Sequence, residues 1–256
     1  MTRFLQKLAP HVRPAPLAAL LSRWSGLDRR RFVDTGQGRF WINPVSDLGT
    51  SLLSGEYEPA MRRVLEQYLR PGGTFVDLGA NEGYFSVIAS RLVGPEGSVV
   101  AVEPQSRLQT VIQRNLVENG CFNVQVFQCL LSGRAGTAKI ALSSDMNTGG
   151  SSLFPAARYR LPQEELRTLT LDDFFSKLRV GHCDLMKVDI EGAEWDVFMN
   201  SADVLRSGRL RNIVLEIHDS ILAARGLDGA VLHQHMLAQG YTADKELGPW
   251  VYRRLP

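Results

Sequence analysis

One stretch between residues 73 and 86 constrains the fold more than any other part of the chain. Residues 74–76 suit a buried strand, and Asp77 closes that strand with a carboxylate. Gly79 and Gly83 bracket the turn that follows, and beyond Gly83 the apolar residues recur at helical spacing. A strand, a glycine turn and a helix start in this order bring a ligand close to backbone N–H groups. The stretch therefore predicts a ligand site at a helix N-terminus.

Strands and helices alternate along the rest of the chain, and this alternation indicates the fold class. Tyr241 and residues 250–253 mark two final strands. We predict an α/β fold with a Rossmann-like, mainly parallel sheet, helices on both faces and an antiparallel strand near the C-terminus. The predicted strand ends after Asp77 are Glu103, Gln128, Asp189 and His218.

Weaker patterns lie in the connecting segments. Lys139 to Leu142 predicts a short edge strand, and the polar stretch from Ser143 to Leu161 predicts a mobile loop. Ala193 to Leu205 and Ile221 to Ala238 each predict one helix, the second weakened at its start by glycines.

The first 50 residues are predicted to lie apart from a larger domain formed by residues 51–256. Residues 1–31 carry seven Lys and Arg residues against Asp28 alone, and we expect a solvated basic arm there. A membrane-surface or RNA contact is the alternative for this arm. Residues 31–42 predict a hairpin that turns at residues 35–38.

Net charge, cysteine content and the length of apolar runs indicate which binding partners and which cellular compartment the sequence favours. The net charge is only +2, so the chain shows no overall bias towards nucleic acid. Cys121, Cys129 and Cys183 lack disulfide or metal-ligand spacing, which favours buried thiols in a reducing, cytoplasmic setting. No apolar run approaches the roughly 20 residues that span a bilayer. The oligomeric state leaves no signature in the sequence.

Acidic and polar side chains stand at the carboxyl ends of the predicted strands, where ligands bind in open α/β sheets. The turn after Asp77 differs from a dinucleotide turn, because Asn81 stands where the second glycine would admit a pyrophosphate. Glu103, at the end of the next strand, can accept hydrogen bonds from ribose hydroxyls. The turn alone leaves both a dinucleotide and a methyl donor open.

Longer motifs favour the methyl donor over the dinucleotide. Residues 75–86 together with Val102-Glu103-Pro104 look like the cofactor half of a class I S-adenosylmethionine-dependent methyltransferase. The run from Asp184 to Glu194 resembles the signature of the FkbM family, and the resemblance covers roughly residues 50–245. The other matching segments are Gly55 to Glu58, Thr170 to Asp173 and Leu215 to His218.

The resemblance implies S-adenosylmethionine as the methyl donor. Its carboxylate is expected at the helix start, its ribose on Glu103 and its adenine beside Cys129 and Leu130. Glu58 is expected near the methionine end. The full set of predicted donor-binding residues is Glu58, Asp77, Gly79, Ala80, Asn81, Gly83, Tyr84, Phe85, Glu103, Pro104, Cys129, Leu130 and Asp189.

The same resemblance implies a hydroxyl as the usual methyl acceptor, and an alcohol needs a nearby base to take its proton. The predicted catalytic residues are Asp189, Glu191 and His218, and no metal is assigned to the site. A structural role for His218 and a donor-orienting role for Asp189 remain alternatives. These three residues together with Glu216 form a possible oxygen-rich set for a divalent ion, which is the minority interpretation.

The predicted function is therefore an O-methyltransferase acting on a small-molecule, sugar or lipid acceptor, with no specific nucleic acid partner. A nicotinamide-dependent oxidoreductase on a similar fold is one alternative. A non-catalytic adapter that binds S-adenosylmethionine and uses the basic arm is another. We expect the loop at residues 143–161 and the segments before Gly55 to shape the acceptor pocket.

Overall fold

A seven-stranded sheet forms the centre of the computed structural model, which describes residues 29–155, 161–178, 181–244, 246–247 and 251–254. The strands are β1 (Arg31–Thr35), β2 (Gly38–Ile42), β3 (Thr74–Leu78), β4 (Ser98–Val102), β5 (Val124–Phe127), β6 (Leu130–Leu131), β7 (Gly136–Ala141), β8 (Gln163–Leu169), β9 (Leu185–Val188), β10 (Asn212–Leu215), β11 (Tyr241–Asp244) and β12 (Val251–Arg254). The central order is β11-β12-β10-β9-β3-β4-β5.

Parallel pairing runs through this sheet from β10 to β5, and β12 is antiparallel to both β10 and β11. The predicted parallel sheet with an antiparallel strand near the C-terminus is thereby confirmed. Because the carboxyl ends of parallel strands share one edge, β3, β4, β9 and β10 direct their following residues to the same region.

Helices cover both faces of the sheet, as predicted. They are α1 (Asp47–Ser54), α2 (Pro59–Tyr68), α3 (Tyr84–Val93), α4 (Ser106–Glu118), α5 (Leu171–Leu178), α6 (Glu194–Met199), α7 (Ala202–Arg206), α8 (Asp219–Ala224) and α9 (Gly229–Ala238). Successive residues of a strand point to opposite faces. Accordingly, Phe75 packs into one core with α2, α3 and α4, while Val76 and Leu78 pack into the other with helices that include α5, α6 and α9.

The N-terminal hairpin is present, with Thr35 paired to Gly38 at its turn. Phe40 and Ile42 are buried in the same core as Phe75, and the backbone N–H of Trp41 donates to Asn115 Oδ1 on α4 (2.6 Å). The hairpin thus packs on the sheet domain, and α1 runs across the predicted boundary at residue 50. The division into 1–50 and 51–256 stays a prediction, and most of the predicted basic arm lies outside the described residues.

A second sheet of three strands, in the order β6-β8-β7, was not predicted. The predicted edge strand at residues 139–142 belongs to this sheet as part of β7, and it pairs with β8 rather than with the central sheet. The pairing joins residues far apart in sequence, such as Ala141 and Gln163, and β8 carries three charged residues among its seven and shows no clear apolar pattern. The residue pattern along the sequence therefore identified only part of β7 among the three strands of this sheet.

Both long helices predicted in the C-terminal half are broken in two. The first is interrupted at Asn200, whose side-chain Nδ2 donates to the backbone carbonyl of Asp196 (2.8 Å). Such a side-chain bond competes with the helical ladder. The second is interrupted around Gly226, which has a left-handed φ of 72°, and Asp228 then caps α9 through the N–H of Ala230.

Candidate active site

A cleft opens at the carboxyl ends of β3, β4 and β9, and we call it the donor cleft. It is lined by the turn that follows β3, by residues after β4 and β5, and by the segment after β9. Most of the residues predicted to bind the donor lie on its wall. They are Gly79, Ala80, Asn81, Tyr84, Phe85, Glu103, Pro104, Cys129, Leu130 and Asp189. Glu191, one of the predicted catalytic residues, also lines this cleft.

The other predicted residues lie around the donor cleft without lining it. Asp77 is buried behind the wall, where Ser86 Oγ donates to its Oδ2 (2.6 Å). Gly83 caps the start of α3 with a left-handed φ of 82°. Glu58 lines a neighbouring cleft, and His218 lies behind Asp189 and Glu191. Their roles stay predictions.

The turn after β3 explains why Gly79 is required. Its φ is 82°, and a Cβ at this position would lie 1.8 Å from the carbonyl oxygen of Asp189. The N–H groups of Gly79 and Ala80 both donate to the Val102 carbonyl at 3.0 Å, which ties the turn to β4. The backbones after β3 and β9 therefore approach each other directly at the floor of the cleft.

Glu103 is held rigidly at the end of β4. It is 3% exposed, and its two oxygens accept hydrogen bonds from the backbone N–H groups of Asn81 (2.9 Å) and Gln105 (3.0 Å). Burial raises the pKa of Glu103 to about 7 despite these hydrogen bonds. Each carboxylate oxygen retains a second lone pair, so the group can still accept bonds from ligand hydroxyls.

A polar segment, residues 143–155, closes one side of the donor cleft, and we call it the strap. Thr148 accepts from the Gln105 side chain through its carbonyl (3.0 Å) and donates through its hydroxyl to Asn81 Oδ1 (2.8 Å). Ser152 Oγ donates to the carbonyl of Glu191 (2.5 Å). The strap is therefore hydrogen-bonded both to Asn81 in the turn after β3 and to Glu191 in the segment after β9. Its Ser- and Gly-rich sequence indicated a mobile loop, but Thr148 and Ser152 are buried.

His218 stands at the centre of a group of carboxylates. Its Nδ1 lies 2.8 Å from Glu194 Oε1, and its Nε2 lies 3.7 Å from Asp189 and 3.6 Å from Glu191. Burial lowers the pKa of His218, but the hydrogen bond to Glu194 and the charges of the carboxylates outweigh burial and raise it to about 9. At neutral pH the imidazole is therefore protonated, which does not suit the role of a proton acceptor.

Glu191 has the more suitable pKa for that role. Burial raises its pKa to about 7, against the opposing charge of His218 and with a further rise from Asp189. Asp189 and Glu191 contact the same imidazole nitrogen, so the two carboxylates face one region of the cleft. Glu191 thus has a pKa close to neutral pH, and the catalytic roles of all three predicted residues stay predictions.

Glu194 lies in the first turn of α6, where a carboxylate interacts favourably with the helix dipole. It is fully buried, and its Oε1 accepts from the N–H groups of Ile190 (3.3 Å) and Gly192 (3.2 Å) as well as facing His218. It therefore fixes both the loop and the imidazole. Glu194 and His218 lie on different segments of the chain, so their spacing in the sequence did not predict that they form a pair.

Lys187 is the second site residue that sequence reasoning missed. Its ammonium lies 3.2 Å from Asp189 Oδ2, 3.5 Å from the Gly79 carbonyl and 4.0 Å from Asp77 Oδ1, although the side chain is only 6% exposed. Burial lowers its pKa, but these carboxylates outweigh burial and raise it above the ordinary lysine value. A lysine inside the otherwise apolar strand β9 was the available signal.

Residues 77–243 match the family model of the methyltransferase FkbM domain, which is more than half of the chain. The chain belongs to the FkbM methyltransferase family. The resemblance to S-adenosylmethionine-dependent methyltransferases that the sequence motifs indicated is thereby confirmed.

Relatives of the FkbM domain support this membership. The methyltransferase sdnD of Sordaria araneosa is 31% identical over 170 residues, which are 55% of this chain and 64% of that protein. The enzyme named 31-O-demethyl-FK506 methyltransferase FkbM, from Streptomyces tacrolimicus, is 29% identical over 209 residues, or 71% and 77% of the two chains. A ribosomal RNA large subunit methyltransferase E of Acinetobacter baumannii is 33% identical over 158 residues, 57% of this chain and 68% of that protein. This chain thus spans less than two thirds of sdnD.

The FkbM domain also brings together part of the possible metal set. Asp189, Glu216 and His218 each place one potential ligand atom within 4.8 Å of the others. In the structure, His218 and the Lys187 ammonium are the cationic groups beside these carboxylates. The assignment of no metal to the site stays a prediction. No described helix is long and apolar enough to cross a membrane.

Proposed function

We propose that this chain transfers a methyl group from S-adenosylmethionine to a hydroxyl group of a small-molecule, sugar or lipid acceptor. The observation that carries the proposal is one cleft that runs from Glu103 and the glycine turn to Asp189 and Glu191. A donor-binding end and a group able to take a proton thus share one space. This is the arrangement that transfer to an alcohol requires.

The residues present fit the proposed donor, which supplies a methyl group on a positively charged sulfur when it is bound. Asp77 Oδ1 is buried without a hydrogen-bond partner and lies next to the floor of the turn. Gly79 lets the turn pack directly against the backbone at Asp189, where a Cβ would clash. Glu103 offers acceptors for ribose hydroxyls, and Gly83 and Tyr84 form a helix start suited to a carboxylate.

In the proposed mechanism, Glu191 receives the proton of the acceptor hydroxyl, and Asp189 orients that hydroxyl. His218, held by Glu194, acts through the two carboxylates and is a positioning residue. The strap helps to keep water out of the cleft, since Ser152 fixes the backbone of Glu191. Catalysis then depends mainly on alignment of the reacting groups.

Two relatives differ in what their names say about the acceptor. One is named as an O-methyltransferase that acts on a demethylated FK506, and the other as a methyltransferase of ribosomal RNA. We favour the former type of acceptor because Asp189 and Glu191 line this cleft, and the one Lys or Arg among its described lining residues, Lys187, is paired with Asp189, so the cleft offers no free cation to a phosphate. The oxidoreductase alternative is disfavoured by Asn81, and the adapter by the intact carboxylates.

Calorimetric titration with S-adenosylhomocysteine tests the donor site. We expect binding to the parent protein and at least a tenfold loss in Glu103→Ala, because a ribose-binding group is removed. Glu96→Ala, at an exposed position outside the cleft, is the matched control and should bind like the parent. A parent protein that binds a nicotinamide cofactor but not S-adenosylhomocysteine would refute the proposal.

The pH dependence of kcat at saturating donor tests the assignment of Glu191 as the base. We expect kcat of the parent to fall below about pH 7, as Glu191 becomes protonated. Glu191→Gln should lower kcat about 100-fold and remove this acid limb, while S-adenosylhomocysteine binding is retained. An unchanged acid limb in Glu191→Gln would show that another group takes the proton.

A further inference from the structure

A second cleft adjoins the donor cleft. It lies between the first half of α2 and the carboxyl ends of β9 and β10, and Leu247 and Val251 close one side. Lys187 and Asp189 line both clefts, so these two side chains form a shared wall. By contrast, the cleft beside Arg30 and Arg107 shares no lining residue with the donor cleft.

A site that binds the methyl acceptor must adjoin the donor cleft. In-line transfer requires the acceptor oxygen to lie about 3 Å from the methyl group, so the two ligands must meet at one wall. In the second cleft, an acceptor hydroxyl that reaches this wall would meet Asp189 and the Lys187 ammonium. The predicted acceptor walls, the strap and the segments before Gly55, do not line this cleft.

The floor of the second cleft is apolar. Met61 and Val64 from α2 are 6% and 2% exposed, and Val251 from β12 is 1% exposed. These side chains are in place without any ligand contact, so a ligand with an apolar body would bury its own surface against them. The floor therefore favours an acceptor with a hydrocarbon or aromatic portion over a bare sugar.

The second cleft is lined by carboxylates from three elements of the fold. Glu58 begins α2 and Glu216 follows β10, while the shared wall adds Asp189. Burial raises the pKa of both Glu58 and Glu216, and the negative charge of Asp189 adds to the rise. The Lys187 charge opposes part of this rise at both glutamates, and His218, 4.0 Å from Glu216, opposes part of it at Glu216. A further cation bound beside either glutamate would favour its ionised form.

The backbone at Glu58 indicates that its side chain is placed with some strain. Its φ of 39° and ψ of 61° lie in the left-handed region, and its side chain makes no capping hydrogen bond to α2. A non-glycine residue in this region costs free energy, and such residues cluster at binding sites. Helix capping therefore does not explain a glutamate here; its side chain is hydrogen-bonded to Tyr57 and lines the second cleft.

We propose that the second cleft is the acceptor site and that it takes an amphipathic alcohol with an apolar body and a protonated amine. Glu58 and Glu216 bind the ammonium group, the apolar floor holds the body, and the hydroxyl reaches Asp189 at the shared wall. This proposal rests on the proposed function, because it needs a methyl donor in the adjoining cleft.

Three probes of similar size test the charge preference. They are phenylalaninol, its isostere with a methyl group in place of the ammonium, and phenyllactate, titrated calorimetrically at saturating S-adenosylhomocysteine. We expect phenylalaninol to bind about tenfold more tightly than phenyllactate, with the neutral isostere between them. Equal binding of the cation and the anion, or tighter binding of phenyllactate, would overturn the proposal.

Two variants locate the effect in the cleft. Glu58→Gln and Glu216→Gln should each weaken phenylalaninol about fivefold and leave the neutral isostere nearly unchanged. Glu66→Gln, at an exposed position on the same helix and outside the cleft, is the matched control. Retention of full phenylalaninol affinity in both cleft variants would place its site elsewhere.

The donor titration separates this proposal from the proposed function. If S-adenosylhomocysteine does not bind the parent, the proposed function fails and the second cleft loses its role with it. If S-adenosylhomocysteine binds but the order of the probes is absent, the acceptor proposal alone fails. Thermal unfolding of each variant identifies a loss of folding, and the order of the probes on the parent protein remains decisive in that case.

Discussion

The ion pair between His218 and Glu194 predicts a specific dependence of stability on pH. Glu194 is fully buried and His218 is 17% exposed, with Nδ1 and Oε1 2.8 Å apart. Substituting Glu194→Gln keeps an oxygen for the N–H groups of Ile190 and Gly192 but removes the negative charge. The perturbation therefore tests the charge interaction without deleting the hydrogen bonds of the loop.

The magnitude follows from the pKa of His218, which rises from 6.5 to about 9 in the folded protein. Because the folded-state pKa lies above the unfolded value, protonation stabilises the native state fully below pH 6.5. This contribution is lost as the pH rises through about 9. Between about pH 7.5 and about pH 10 the loss amounts to about 2 kcal/mol. Glu191, with a pKa of about 7, titrates mostly below this window.

Urea unfolding at several pH values in this window measures the effect. We expect the free energy of unfolding of the parent to fall by about 2 kcal/mol more than that of His218→Asn, which lacks the titrating group. Glu194→Gln should show an intermediate fall, since Asp189 and Glu191 still face the imidazole. Parallel curves for the parent and His218→Asn would refute the assignment of a raised pKa to this histidine.

Two further substitutions test the packing of the site and of the core. Gly79→Ala should abolish S-adenosylhomocysteine binding and destabilise the fold by several kcal/mol, because its Cβ would meet the Asp189 carbonyl at 1.8 Å. Gly72→Ala, with a similar φ of 80° and no atom within 4 Å, should cost only about 1 kcal/mol, and equal effects in urea unfolding would contradict the role of the contact. Phe198→Ala, at a fully buried position, should cost about 3–5 kcal/mol, whereas Phe122→Ala, 85% exposed, should stay within about 0.5 kcal/mol by the same assay.

The sequence predicted those parts of the fold that depend on local pattern. The strand before Asp77 and the helix after Gly83 carry clear apolar periodicities, and the parallel sheet follows from their repetition. The ends of these strands then placed Glu103 and Asp189 on one cleft, since parallel strands share an edge. The position of these two residues on one cleft could thus be predicted before any pairing was known, and their donor contacts stay predictions.

Partners from distant segments could not be predicted in the same way. Lys187 was recognisable as a charged residue in a strand, but its position between Asp77 and Asp189 depends on the pairing of β9 with β3. The strap likewise showed only a polar composition, and its burial comes from contacts such as that between Thr148 and Asn81. Composition indicates the average behaviour of a segment, whereas burial depends on what packs against it.

Backbone strain gives a physical reason why the site itself was the hardest part to predict. The described non-glycine residues with positive φ are Glu58, Asn81 and Glu191, at 39°, 50° and 50°. Each such position costs on the order of 1 kcal/mol and runs against local propensity. Glycine would remove that cost, but it would also remove the Asn81 contact to the strap and the two carboxylates that line the clefts. Contacts between distant segments, such as that of Asn81 with the strap, accompany these side chains, and local sequence patterns do not encode such contacts.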